Sequence, residues 1–283
     1  MRDKVASFIN RAGGHLDLRL IQSQKGLTRQ RNVGLKEAQG ELIFFFDDDV
    51  TFGEDFISQA VSLFHRSAMK DVGGVMGYDV VGYGTPMRLR HKVRRALGFY
   101  PSLRPGALGK CGLVVPLGIQ PPFSGCIDIS WLGGFCMLYR RGAVAGLCFD
   151  EDLPTFGAED ANFSMQVGKR WRLVLCGDLH IKHHRTMTSR VDGPTQVYES
   201  TYGVARNHLS QSATFADMMW LLWFALTELV LDTLSFLSGP SWVKLRIIIT
   251  RQQGLIDGAC SIFATPQGAE SQSKPADPKS VWQ

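Results

Sequence analysis

The sequence predicts an α/β fold, and three observations lead there. Strand-like and helix-like runs alternate from residue 16 to residue 81, as they do where crossover helices join the strands of a mostly parallel sheet. The run 42–46, LIFFF, is apolar throughout, as expected of a central strand covered on both faces. It ends at once in Asp47, Asp48 and Asp49, and open α/β sheets bind ligands at the carboxyl ends of their strands. A turn needs one such residue. Three adjacent carboxylates repel one another and call for a positive group among them.

The elements follow in order. Residues 3–12 read as a short amphipathic helix stopped by Gly13-Gly14. Residues 16–23, LDLRLIQS, alternate as a strand does. Residues 27–39 read as a helix ending at Gly40, residues 56–67 as a second helix, and residues 71–81 as a glycine-rich strand. Residues 82–125 break the pattern. They are rich in Gly and Pro and hold the basic run RLRHKVRRALG at 88–98. Regular structure resumes at 127–141, followed by a helix at 157–170 and a strand at 172–177. Residues 218–237 form a long apolar helix, and the polar tail reads as disordered. The organisation expected is a catalytic domain over 1–212, a membrane-associating helical segment over 213–263 and a tail over 264–283.

The 283 residues suffice for a sizeable core. A net charge of +5 permits an anionic partner and gives no argument for nucleic acid. The six cysteines show no C-x-x-C spacing and the N-terminus is too polar for a signal peptide. They are therefore expected as reduced thiols in the cytoplasm.

Three groups carry chemistry. Asp47 and Asp49 lie two apart, so in extended backbone they point the same way, one toward a divalent metal (Mg²⁺ or Mn²⁺) and the other toward a ribose hydroxyl. The plain alternative is an acidic loop opening the helix that follows. Glu159 and Asp160 stand at a helix start, where they serve either as caps or as a general base. His183 and His184 follow a strand and are available to complete a metal site. Asp150, Glu151 and Asp152 read as surface or capping residues.

The stretch GLTRQRNVGLKEAQGELIFFFDDDV resembles the signature of family 2 glycosyltransferases, with an Arg-Asn-x-Gly helix and an apolar strand ending in Asp-x-Asp. The stretch from WLGGF to IKHH resembles their second half: a Gly-Gly acceptor segment, Phe-Asp-Glu, Glu-Asp and a final His. Together these blocks cover about residues 16–210. The resemblance implies a GT-A fold, Rossmann-like with flanking helices. It also implies inverting transfer of a sugar from a nucleotide donor to a hydroxyl of a glycan or lipid-linked acceptor. By the same resemblance Arg31, Asn32, Asp47 and Asp48 line the donor site. Asp49 with His183 or His184 binds the metal or diphosphate. Trp131, Gly133, Gly134 and Glu159 serve the acceptor, and Asp160 is the base.

The family's opening strand–helix–strand is not seen, so the fold is expected to be N-terminally incomplete. Met1 would then lie inside a longer product, with an unpaired sheet edge left beside residues 16–23 and 41–46. The alternative is a degenerate, inactive remnant or a membrane-associated partner protein. A nucleotidyltransferase would want a glycine-rich basic loop near its N-terminus, and none is visible. Residues 218–237 are long enough to span a bilayer, yet Glu228 and Asp232 would each cost about 2.5–3.5 kcal/mol near its centre. An amphipathic helix lying on the inner face of the cell membrane is expected instead. The basic run at 88–95 is expected to meet anionic lipid or an acceptor diphosphate.

Overall fold

The computed structural model describes residues 17, 19–184 and 192–264. The helix expected at 3–12 and the tail from residue 265 lie outside them. Ala264, expected in that tail, is the last residue of a helix.

Helix α1 (Leu27–Glu37) leads into strand β1 (Leu42–Phe46), and β2 (Val50–Phe52) follows the three aspartates. Helix α2 (Phe56–His65) buries Phe56, Ala60, Leu63 and Phe64, the stripe of a helix packed on a sheet. Then come β3 (Val72–Asp79), α3 (Leu89–Ala96), β4 (Cys126–Ile129), β5 (Cys136–Arg140) and the short α4 (Arg141–Val144). Helix α5 (Glu159–Gly168) precedes β6 (Arg172–His183). Three helices close the chain: α6 (Gly193–Gln211), α7 (Phe215–Leu237) and α8 (Trp242–Ala264).

The sheet runs β1-β5-β3-β6, and both β2 and β4 pair with β6. Strands β1, β3 and β6 share one direction. β5 stands antiparallel between β1 and β3, so β3–β6 is the one parallel pair in the described sheet. The pairing is thus mixed where a mostly parallel sheet was expected, because β5 enters from the preceding loop and not through a crossover helix. Gly74 of β3 is required by close approach. A Cβ there would come within 2.7 Å of Leu173 and 2.9 Å of Tyr139.

Two expectations about the first strands need correction. Residues 19–24 are not a strand. No described strand runs beside them to take up their hydrogen bonds, and Leu20 is 56% exposed. Strand β1 is not central but ends the described strand order, and four of its five residues are only half-buried. It has one neighbour, so its apolar run outstrips its cover.

The cysteine reading is also corrected. Cys126 and Cys176 form a disulfide 50 residues apart in sequence. Strands β4 and β6 pair with these two residues directly opposite each other, and register at that range is invisible in spacing. The argument for a reducing compartment loses its basis.

There are two cores. One lies on the sheet, built from Val75, Met76, Leu138, Tyr139, Phe163 and Leu175 among others. The second joins the irregular segment to the last helices through Phe99, Tyr100, Leu113, Ala205, Phe224 and Leu255. Gly254 and Gly258, one turn apart, let α8 approach the backbone of α6 at Tyr198 and Tyr202.

Helix α7 is amphipathic, but its faces are turned the opposite way from the expectation. Glu228 and Asp232 are buried in the protein. Arg90 binds both, Arg94 Nε donates to Glu228 at 2.9 Å, and Arg251 joins each. Leu222, Trp223, Leu226 and Val230 face outward. Arg90 and Arg94 of the basic run at 88–95 are therefore an internal clamp, because two buried carboxylates need cations beside them, while Arg88, Lys92 and Arg95 stay exposed.

Candidate active site

A cleft of about 700 Å³ opens at the ends of β1, β5 and β6. The long strand β6 builds one wall. Val50 of β2 pairs with His183, and the His184 N–H donates to the Asp49 carbonyl at 2.9 Å. This register carries the aspartate turn to the end of β6. Asp47, Asp49 and His183 each bring one ligand atom within 4.8 Å of the others. His183 Nε2 lies 3.2 Å from Asp49 Oδ1, and its ring stacks on Phe135 with centroids 4.6 Å apart. His183 Nδ1 is buried with no hydrogen-bond partner among the described residues. Two carboxylate oxygens and an imidazole nitrogen suit a divalent cation of the Mn²⁺ or Mg²⁺ type.

The opposite wall is the start of α5. Ala158 takes a left-handed conformation, φ 57°, unusual without glycine. It turns Glu159 and Asp160 into the cleft lining as the first residues of the helix, where the helix dipole favours carboxylates. Asp160 accepts from the Gly134 N–H at 2.8 Å and from its neighbour's N–H on Ala161 at 2.7 Å.

Arg31 of α1 joins the two walls. Buried beneath them, it donates to Glu159 at 2.8 Å, to Asp47 at 3.2 Å and to the Gly134 carbonyl at 3.1 Å. A Cβ on Gly134 would sit 2.8 Å from the guanidinium, so glycine makes the room. Arg31 is the positive group that the three aspartates call for. Asp47 and Asp49 still outnumber it at the donor end, and the deficit favours a further cation there.

Burial and the Asp160 charge push Glu159 up to about 8 against the pull of Arg31. Burial likewise raises Asp160, opposed by Arg31 and by the N–H groups of Gly134 and Ala161.

The remaining expected residues are placed as follows. Trp131, Gly133 and Gly134 line the cleft beside Asp160, and the Trp131 indole nitrogen is buried with no hydrogen-bond partner among the described residues. Asn32 does not line it. Its amide donates to the Phe149 carbonyl and Glu151 and accepts from the Phe149 N–H, pinning that loop. Asp48 is exposed and outside the three-ligand group. His184 is also outside it, bonded through Nε2 to Thr51 at 2.8 Å. Asp150 and Asp152 hold Arg206 of α6. Sequence reasoning missed Tyr83 and Phe135 as lining residues. Tyr83 sits in the irregular segment, where no periodicity marks it.

The family model described as glycosyl transferase family 2 matches residues 3–146. No curated protein matches the chain significantly. Among solved structures, the chain is similar to a mannosyltransferase, PcManGT from Pyrobaculum calidifontis, in complex with GDP-Man and Mn2+. The identity is 15%, the TM-score 0.47, and the match covers 94% of this chain and 76% of that one.

Proposed function

Because the chain belongs to glycosyltransferase family 2, whose model matches half of its length, we propose that it moves a sugar from a nucleotide-diphosphate donor, with inversion, to a hydroxyl of a glycan or lipid-linked acceptor. One observation carries this reading. The Asp47–Asp49–His183 group and the Asp160 carboxylate line the same cleft. One site thus offers a seat for a donor diphosphate and, facing it, a single base.

Asp47, Asp49 and His183 would hold the cation, which when bound neutralises charge on the departing diphosphate. Asp160 accepts the proton of the attacking hydroxyl, with Gly134 and Ala161 fixing its two oxygens. Arg31 keeps Glu159 beside that base and Asp47 at the donor end. Trp131 offers its indole N–H to an acceptor oxygen. Single displacement needs one base and not the two flanking carboxylates of a retaining glycosidase.

Incubation of the chain with a panel of nucleotide sugars and Mn²⁺ or Mg²⁺ tests this. Nucleoside diphosphate release from one donor is expected. Chelation should abolish it, and so should Asp49→Ala. No release from any donor, with or without lipid acceptors, would overturn the proposal.

A pH profile gives a second check. Burial raises Asp160, which must lose its proton to serve as base, so kcat should climb with pH through a limb above the ordinary carboxyl range. A kcat already level across the ordinary carboxyl range would contradict this.

We place the chain peripherally on a membrane surface. Support comes from α7, which is long and apolar enough to cross a bilayer and only 28% buried over its most apolar window. Its buried carboxylates favour lying on the surface over spanning.

A further inference from the structure

Helix α5 carries Glu159 and Asp160 but does not hold its own start. Ala158, at its N-cap, makes no side-chain capping bond. Its left-handed backbone, φ 57°, is one that persists in a non-glycine residue only where the surroundings enforce it. Those surroundings come from α6, which follows the base by more than thirty residues.

Glu199, Gly203 and Asn207 are spaced four apart on α6 and so fall along one side of it. They meet three consecutive residues of the turn before Glu159. The Phe156 N–H donates to Glu199 Oε2 at 3.1 Å. A Cβ on Gly203 would come within 1.9 Å of the Gly157 carbonyl oxygen, so only glycine lets the turn lie this close. Asn207 Nδ2 donates to the Ala158 carbonyl at 3.2 Å, and its Oδ1 accepts from Asn162 Nδ2, on the first turn of α5, at 2.8 Å. Asn207 is buried, with both ends of its amide committed to α5 and the turn before it. Next to it, Arg206 takes Asp150 and Asp152, so α6 grips this loop from residue 150 to residue 158.

The other side of α6 is itself fixed. Thr201 Oγ1 donates to the Arg251 carbonyl of α8 at 3.2 Å, and the Tyr198 hydroxyl donates to Asp257 at 2.8 Å. A helix backed in this way is a firm support for the turn.

We propose that α6 sets the position of the base, with Glu199 and Asn207 as positioning residues that act on Asp160 through the turn at 156–158. This rests on the glycosyltransferase reading, in which Asp160 takes the acceptor proton. Neither residue lines the cleft, while Phe156, Ala158 and Asp160 all do. A displacement of about 1 Å at a reacting group costs on the order of 10²-fold in rate.

The test uses the full chain as wild type, Asn207→Leu, Glu199→Ala and Glu199→Gln. Each protein is followed by hydrogen–deuterium exchange over residues 154–162, by kcat for nucleoside diphosphate release, and by affinity for Mn²⁺ alone. Asn207→Leu and Glu199→Ala should raise exchange over 154–162, with exchange in the sheet unchanged, and lower kcat by about 10–100-fold. Mn²⁺ affinity should stay at the wild-type value, because Asp47, Asp49 and His183 stand on the opposite wall. Glu199→Gln keeps an acceptor oxygen for the Phe156 N–H and should restore most of both readouts. The Glu199 pair keeps the test open where Asn207→Leu fails to fold, since Glu199 is only half-buried. Unchanged exchange over 154–162, or a fall in kcat no larger than the fall in folded fraction, would overturn the proposal. Raised exchange in the variants of a protein that turns over no donor would remove the glycosyltransferase reading and leave the grip of α6 on the turn. Donor turnover at the wild-type kcat in both Asn207→Leu and Glu199→Ala would do the reverse.

Discussion

Asp160→Asn lowers kcat by about 10²–10⁴-fold, the usual contribution of a positioned general base. The substitution keeps an acceptor oxygen for one of the Gly134 and Ala161 N–H groups and sets an NH2 against the other, so a thermal melt of the variant accompanies the kinetics to show that the start of α5 holds its shape. It also removes one buried charge beside Glu159, and Glu159 should ionise more readily. Donor affinity should change little, because Asp160 is outside the Asp47–Asp49–His183 group and is linked to it only through Gly134 and Arg31. Steady-state kinetics on wild type and variant separate the two quantities. A fall in donor affinity with kcat intact would move Asp160 from the base to the donor site.

Glu228→Ala costs about 3–5 kcal/mol of folding stability, the range for breaking a buried ion pair from one side. Glu228 is fully buried against Arg90, Arg94 and Arg251. Its loss leaves three guanidinium groups sharing Asp232. At about 2–4 °C per kcal/mol for a domain of this size, thermal unfolding should shift visibly. Burial alone would raise the Glu228 pKa, but the hydrogen bond from Arg94 and the charges of Arg94, Arg90 and Arg251 outweigh it and hold it below the ordinary range. Its stabilisation is therefore present above the ordinary carboxyl pKa and lost as pH falls through the lowered one. Glu228→Ala should flatten the acid limb of a stability–pH curve. An unchanged denaturation midpoint would show that the cluster is solvated and that α7 is held by its apolar contacts alone.

Much of the cleft was legible because its signals are local. Three aspartates after an apolar strand, a Glu-Asp pair at a helix start and a histidine at a strand end each announce themselves within a few residues. Legibility failed where a residue's role depends on distant partners. Asn32 sits next to Arg31 in the same motif, yet its side chain turns to the loop at Phe149. Cys126 and Cys176 meet only through the β4–β6 register. Arg90 finds its carboxylates 138 and 142 residues away, so charge patterning alone made the run at 88–95 a surface patch. The mixed sheet escaped notice because alternating strands and helices do not reveal an antiparallel insertion such as β5. Helix α6 opens on Gly193-Pro194 and carries small and polar residues on its buried side, among them Thr201, Gly203 and Asn207, so no apolar stripe marked it.

The central claim is that Asp47, Asp49 and His183 together seat the cation that receives the donor diphosphate. A Mn²⁺ titration followed by electron paramagnetic resonance, with nucleoside diphosphate present, addresses it most directly. The account predicts one saturable Mn²⁺ site in the wild type, weakened at least about tenfold by Asp49→Asn and by His183→Ala, and unaffected by Asp48→Asn. Equal Mn²⁺ binding in all four proteins, or none in the wild type, would contradict it.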